Sequence, residues 1–203
     1  MKIAAFVPVL LATGISALNL KLPDSATFSI VEAGMRIEQV KIPEFLAEKH
    51  MQELRGSSTA SSNATNTKST TASSPITLHG FCQVPARNLP VDDIADIVSQ
   101  IGSFCGDKFA GTKGVKIPPY TALSVNANGL RVSVCSYGSE SQCDVNEIYE
   151  GWNFLAFDCP VPDPPEYPHP AGSFFQGGWD KTFQQQSCRD ATLCGMSYSC
   201  TDV

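Results

Sequence analysis

The chain has 203 residues, a formal charge of −6 and eight cysteines. From Ser74 onward seven Lys/Arg stand against fourteen Asp/Glu, so the charge is concentrated in the cysteine-bearing part. Affinity for phosphate backbones rests on Lys/Arg, so nucleic acid and anionic membranes are not expected as partners.

The chain begins Met1-Lys2, followed by an apolar run from Ile3 to Ala12 and the small-residue stretch Thr13 to Ala17. One charge, an apolar core and small residues are the layout of a signal peptide, predicted over residues 1–17. The run is too short to span a bilayer, and no later stretch is long enough. Residues 18–55 hold no cysteine. They read as a leader, either a removable propeptide or an arm packed on the main domain. Pro43 suits the first turn of a helix over Glu44 to Arg55, with Leu46, Ala47, Met51 and Leu54 on one side.

Residues 56–75 are rich in Ser, Thr, Ala and Asn and carry no large apolar side chain. Such a segment does not bury enough surface to offset its chain entropy, so it reads as a linker. Asn63-Ala64-Thr65 within it is an N-glycosylation acceptor.

Residues 76–203 form the predicted globular unit. All the cysteines lie here: Cys82, Cys105, Cys135, Cys143, Cys159, Cys188, Cys194 and Cys200. An even set behind a signal peptide reads as a disulfide framework of a secreted protein. Ile76 to Val84 is a candidate first strand. Pro90 then leads into Asp92 and Asp93, and Ile94, Ile97, Val98, Ile101 and Cys105 follow at helical spacing. Gly106 is placed to stop that helix, and Cys105 is expected to tether its end to a strand. Thr121 to Val125 and Leu130 to Val134 alternate around an Asn128-Gly129 step, the pattern of a β-hairpin.

Asp144 is a candidate cap for a second helix, with Glu147 three residues on as in a capping box. Val145, Ile148, Tyr149, Trp152 and Leu155 share its apolar face, and Cys143 and Cys159 bracket it. A proline-rich loop from Pro160 to Gly172 follows. A last strand is predicted between Phe174 and Phe183 around Trp179, and three cysteines tie down the tail.

The order strand, helix, strand, strand, helix, strand builds a split βαβ two-layer sandwich. The expected fold class is α+β: two helices on one face of an antiparallel sheet, stapled by disulfides. With its signal peptide, cysteine-free leader and Ser/Thr linker, the chain resembles the small secreted cysteine-rich proteins of fungi. The block from about 76 to 190, with Cys105 closing one helix and Cys143 opening the next, resembles the killer-toxin-like α/β sandwich effectors. That resemblance implies a toxin or host-directed virulence factor without a recognised enzymatic activity, and it brings no catalytic residues.

Catalytic patterns were weighed residue by residue. Cys188, Cys194 and Cys200 lack the close pairs of a structural zinc site, so no metal and no cofactor is expected. A serine nucleophile needs a base, and His50 and His169 stand in leader and loop, leaving only His79 on structure. Asp144, Glu147 and Glu150 are read as a solvated acidic helix face. Glu147 and Asp144 remain, with His79, the candidates of an alternative reading as a secreted hydrolase of glycans or RNA.

No residue is nominated as catalytic in the preferred reading. Tyr167 and His169 interleave with five prolines, which stiffen the loop and present the rings at low entropic cost. With Phe174 and Trp179 they are the candidate binding residues for a protein or glycan target outside the cell or in a host. The chain is thus expected to be a secreted, monomeric, effector- or toxin-like binding protein. A glycan-binding cell-wall protein is a further alternative.

Overall fold

The computed structural model describes residues 27–32, 34–57, 78–83, 88–107, 115–138, 140–159, 169–176, 180–190 and 192–200. The expected signal peptide, most of the linker, Asn63, Tyr167 and Trp179 lie outside the described residues. Strands β1 (Phe28–Glu32) and β2 (Met35–Lys41) come first, then helix α1 (Glu44–Ser57). Next are β3 (Leu78–Cys82), α2 (Val91–Cys105), β4 (Lys116–Ile117), β5 (Thr121–Ala127), β6 (Leu130–Ser136) and β7 (Ser141–Gln142). Helix α3 (Val145–Asp158) precedes β8 (Gly172–Gln176), β9 (Lys181–Ser187), a 3₁₀ turn (Cys188–Asp190), β10 (Thr192–Leu193) and β11 (Met196–Ser197).

Seven strands form one sheet in the order β1-β2-β5-β6-β9-β8-β3, with every neighbour antiparallel. Alternation of direction along that order makes β3 and β5 parallel, joined by α2, and β6 and β8 parallel, joined by α3. Both are split βαβ units. The protein is therefore α+β and disulfide-stapled, with two helices packed on one face of an antiparallel sheet.

Local sequence accounts for the elements that frame this core. Asn128 and Gly129 both take positive φ, 50° and 72°, the geometry a two-residue hairpin turn demands. In α2 the residues Ile94, Ile97, Val98, Ile101 and Cys105 are all fully buried. The helix halts at Gly106, whose φ of 62° suits a residue without Cβ. Asp144 caps α3 by accepting from the Asn146 N–H at 2.9 Å.

The two sheet faces differ in chemistry. On the first, Leu123, Val125, Val132, Val134, Phe174 and Phe183 meet the apolar stripes of α2 and α3. On the second, Ala122, Cys135, Tyr137 and Phe175 meet Ala47 and Leu54 of α1, Ile42, and Leu193 and Met196 of the tail. The leader is thus part of the fold: β2 pairs along β5 from Arg36↔Asn126 to Lys41↔Thr121, and α1 covers the second face. Helix α1 runs to Ser57, two residues into the segment read as a linker.

The single last strand expected around Trp179 is corrected to two, β8 and β9, paired with each other. Strand β9 reads KTFQQQS and is buried along nearly its whole length, because both faces of the sheet are covered there. All eight cysteines are paired: Cys82–Cys159, Cys105–Cys143, Cys135–Cys194 and Cys188–Cys200. Cys105 therefore ties the end of α2 to the start of α3, one residue past β7. The Cys82 bond ties the end of α3 to β3.

Candidate functional site

Register places one row of side chains across all seven strands of the second face. It runs Ser29, Glu38, Ser124, Ser133, Gln184, Ser173 and Phe81. Six of the seven are polar, so this row cannot close an apolar core, and the fold covers it with polar partners instead. The next row brings Asn126, Arg131 and Gln186 together.

The C-terminal tail covers the middle of these rows. Arg131 is fully buried, donates from Nη1 to the carbonyls of Thr192 (3.1 Å) and Tyr198 (3.0 Å), and from Nε to Asn126 Oδ1 at 3.0 Å. Asn126 Nδ2 donates to Glu38 Oε1 at 2.6 Å, and the Tyr198 hydroxyl donates to Glu38 Oε2 at 3.1 Å. Burial lowers the pKa of Arg131 while the Glu38 carboxylate opposes the shift. Burial, reinforced by Glu38, raises that of Tyr198. Gln184 Oε1 accepts from the Cys194 N–H at 3.0 Å, and Gln186 Nε2 donates to the Thr192 carbonyl.

Beyond the tail the face opens. Where β9, β8 and the edge strand β3 meet, a groove of about 240 Å³ remains. Its floor is Phe81, Ser173, Gln184 and the backbone at Gly172; Gln83, Gln186, Asp190 and Thr192 form the sides. Gly172 has no room for a side chain, since a Cβ there would stand 2.7 Å from the Phe81 carbonyl oxygen. Gln83 Oε1 is buried and has no hydrogen-bond partner among the described residues.

The sequence-derived candidates are placed differently. Phe174 is 1 % exposed and packs on Phe154 with ring centroids 4.8 Å apart. It is a core residue, and its reading as a binding contact is corrected. His169 is 9 % exposed and stacks on Trp152 at 5.0 Å. Its backbone N–H donates to Asn88 Oδ1 at 2.7 Å, and burial lowers the pKa of its ring. Tyr149, 6.1 Å from Trp152, is the exposed ring of that group.

The solvated acidic face read on α3 is corrected at Asp144 and Glu147, while Glu150 is exposed as expected. Glu147 Oε2 accepts from Lys181 Nζ at 2.5 Å, and the two side chains are only 16 % and 5 % exposed. Asp144 is buried as the helix cap. Glu150 Oε2 accepts from Gln176 Nε2 at 3.4 Å. His79 stands opposite Phe175 in the β3–β8 register, on a different element from either acid.

Sequence reasoning missed the groove residues Gln83, Ser173, Gln184, Gln186 and Asp190. The one available signal was the run Gln184-Gln185-Gln186, a polar stretch next to an apolar one. Among the described residues, no cluster of three or more His, Cys, Asp or Glu is placed to hold a metal ion. No described helix is long and apolar enough to cross a membrane. Comparison with protein-family models, with curated proteins and with solved structures finds no match for this chain.

Proposed function

We propose that the protein is a secreted, effector- or toxin-like binding protein that holds a target outside the cell or in a host, without covalent chemistry. One observation carries the reading. The groove on the second sheet face is lined by the amides Gln83, Gln184 and Gln186 and the hydroxyls Ser173 and Thr192, with Asp190 as its ionisable side chain. Amides and hydroxyls bind without exchanging protons near neutral pH. The acids that a hydrolase would use are engaged elsewhere: Glu147 with Lys181, Asp144 with its helix N-terminus. Four disulfides support a secreted product. The acidic balance of the block argues against phosphate-rich partners.

The test compares labelled wild-type protein with Gln83→Ala and Glu147→Gln variants on intact cell and cell-wall surfaces. Release of products from glycan and RNA substrates is followed in parallel. Loss of surface retention in Gln83→Ala alone, with no turnover in any sample, is the expected result. Turnover that disappears in Glu147→Gln would overturn the binding reading in favour of a hydrolase.

A further inference from the structure

Resting on that binding reading, we infer that the groove between β9, β8 and β3 takes a single neutral, hydroxyl-rich ring, one saccharide unit of a glycan. Phe81 serves as its stacking surface, and Gln83 and Ser173 as its hydrogen-bond partners. Four features of the groove select this chemistry.

The first is size. About 240 Å³ lies just below the range of roughly 300–1,000 Å³ usual for pockets that take drug-sized ligands. The space fits one ring rather than a folded segment or a large cofactor.

The second is the kind of polar group. A side-chain amide offers donors and an acceptor from one plane, and a hydroxyl offers both from one atom. Sugar hydroxyls are also both donor and acceptor, so they match such walls without bringing charge. Gln83 and Ser173 line the groove, and a sugar hydroxyl both donates to and accepts from such groups. A site built to hydrogen-bond a hydroxyl discriminates strongly against analogues that lack it.

The third is charge. Asp190 stands at the groove, and the cysteine-bearing block carries twice as many acidic as basic residues. A phosphate, sulfate or uronate would enter against that field.

The fourth separates a sugar from a peptide. The groove floor is a sheet face, and the main-chain groups of β8 at its middle are already spent in the β3–β8 and β8–β9 ladders. A peptide strand added to a sheet draws its affinity from free main-chain groups at an edge. Apart from the backbone at Gly172, the floor is made of side chains, which suits hydroxyls. Phe81 is partly exposed at the β3 end of the row and presents an aromatic surface to a ring lying along Ser173 and Gln184.

The full secreted chain is titrated with cellotetraose, chitotetraose and mannotetraose, and with a tetragalacturonate, a sugar phosphate and a neutral tetrapeptide as comparators. Calorimetry reads affinity, and amide and side-chain NMR shifts read location. Gln83→Ala and Ser173→Ala are measured beside the wild type. Gln184 is left intact because it holds the Cys194 backbone. Unchanged near-ultraviolet circular dichroism certifies that each variant is folded. Any that fails is replaced by Gln83→Glu, which keeps the side-chain size.

The expected result is binding of at least one neutral oligosaccharide, shifts at Gln83, Ser173 and Gln184, and a loss of about tenfold in affinity in each variant. A sugar that binds with equal affinity to the variants overturns the site. Preference for the galacturonate, the phosphate or the peptide overturns the ligand class. If no sugar binds while Gln83→Ala still abolishes surface retention, the saccharide inference falls and the binding reading stands. If neither is seen, both fall.

Discussion

Lys181 Nζ and Glu147 Oε2 meet at 2.5 Å between β9 and α3, with the ammonium 5 % exposed and the carboxylate 16 % exposed. Lys181 also donates to the Gln142 carbonyl at 3.1 Å. The pair therefore fixes the first turn of α3 over the sheet, and Glu147 is a structural residue. Glu147→Gln should lower stability by about 2 kcal/mol, because it leaves a buried ammonium facing a neutral amide. Urea unfolding of the oxidised protein reads this directly. An unchanged midpoint would show that the ammonium finds water as easily as it finds Glu147.

Gly151 on α3 faces Phe183 of β9. A Cβ built there would stand 2.8 Å from Phe183 Cδ1 and 2.9 Å from Cγ. The contact involves atoms near the root of the ring, which move only if the side chain shifts as a whole. Gly151→Ala gains about 1 kcal/mol of helix propensity, yet overpacking costs about 1–3 kcal/mol. A net loss of stability is expected, and Gly151→Ser should lose at least as much. Thermal unfolding of both variants is the measurement, and a gain in either would mean that α3 lifts away freely.

How much of this was legible in the sequence depends on what covers each element. Helices α2 and α3 and the β5–β6 hairpin have one apolar side, or a turn with its own chemistry, so period and turn residues revealed them. Strand β9 was missed because Lys181, Gln184, Gln185 and Gln186 are buried but polar. Its second face is covered by a tail whose backbone hydrogen-bonds to Gln184 and Gln186. Strand β2 was missed for a related reason. Glu38 and Gln39 are buried, one by Asn126 and Tyr198, and the alternation is lost in the composition. The groove inherits this illegibility, since its residues come from β3, β8, β9 and the tail. Glu147 was misread because no pattern on α3 announces a lysine that arrives from a strand 34 residues later.

The four disulfides should not contribute equally. Chain-entropy arguments scale with the loop that is closed: 77 residues for Cys82–Cys159 and 12 for Cys188–Cys200. The estimates are about 4.5 kcal/mol and about 2.8 kcal/mol respectively. Replacing both members of the first pair with Ser should therefore cost more stability than replacing both members of the second. The second pair, however, closes the tail that supplies Asp190 and Thr192 to the groove. Its loss should affect ligand retention more than the unfolding midpoint. Equal midpoints for the two double variants would sink the loop-length account.

His50 gives the fold a dependence on pH. Its ring lies on α1 against Tyr137, with centroids 5.7 Å apart, and against the Gly195 turn. Burial lowers its pKa below 6.5, outweighing the upward pull of Glu53. Burial lowers His169 in the same direction. The unfolded chain thus takes up these protons before the folded one does. Stability must fall as pH drops below 6.5 toward the folded values, and level off beneath them. Urea midpoints measured from about pH 7 to about pH 5 should decline, and His50→Gln should flatten part of that slope. A variant with the wild-type slope would place the effect entirely on other groups.

The leader raises the last test, because β2 and α1 hold no cysteine and are joined to the body only through contacts and one chain connection. Their removal would uncover Tyr137 and Phe175, each 1 % exposed, together with Ala122 and Leu193. It would also free the edge of β5 from Thr121 to Asn126, which now pairs with β2. An open edge beside apolar surface is a template for aggregation. Ile42 and Leu54 alone bury about 1.5–3 kcal/mol each in this contact. A chain starting at residue 76 should therefore aggregate or unfold at lower denaturant, and a synthetic peptide spanning 27–57 should restore cooperative unfolding when added in trans. Restoration would show that covalent connection is dispensable, so that a cut in the intervening segment leaves the leader docked. A truncated chain as stable as the full one would mean instead that the second face closes without α1, and that the leader's packing contributes little to the fold.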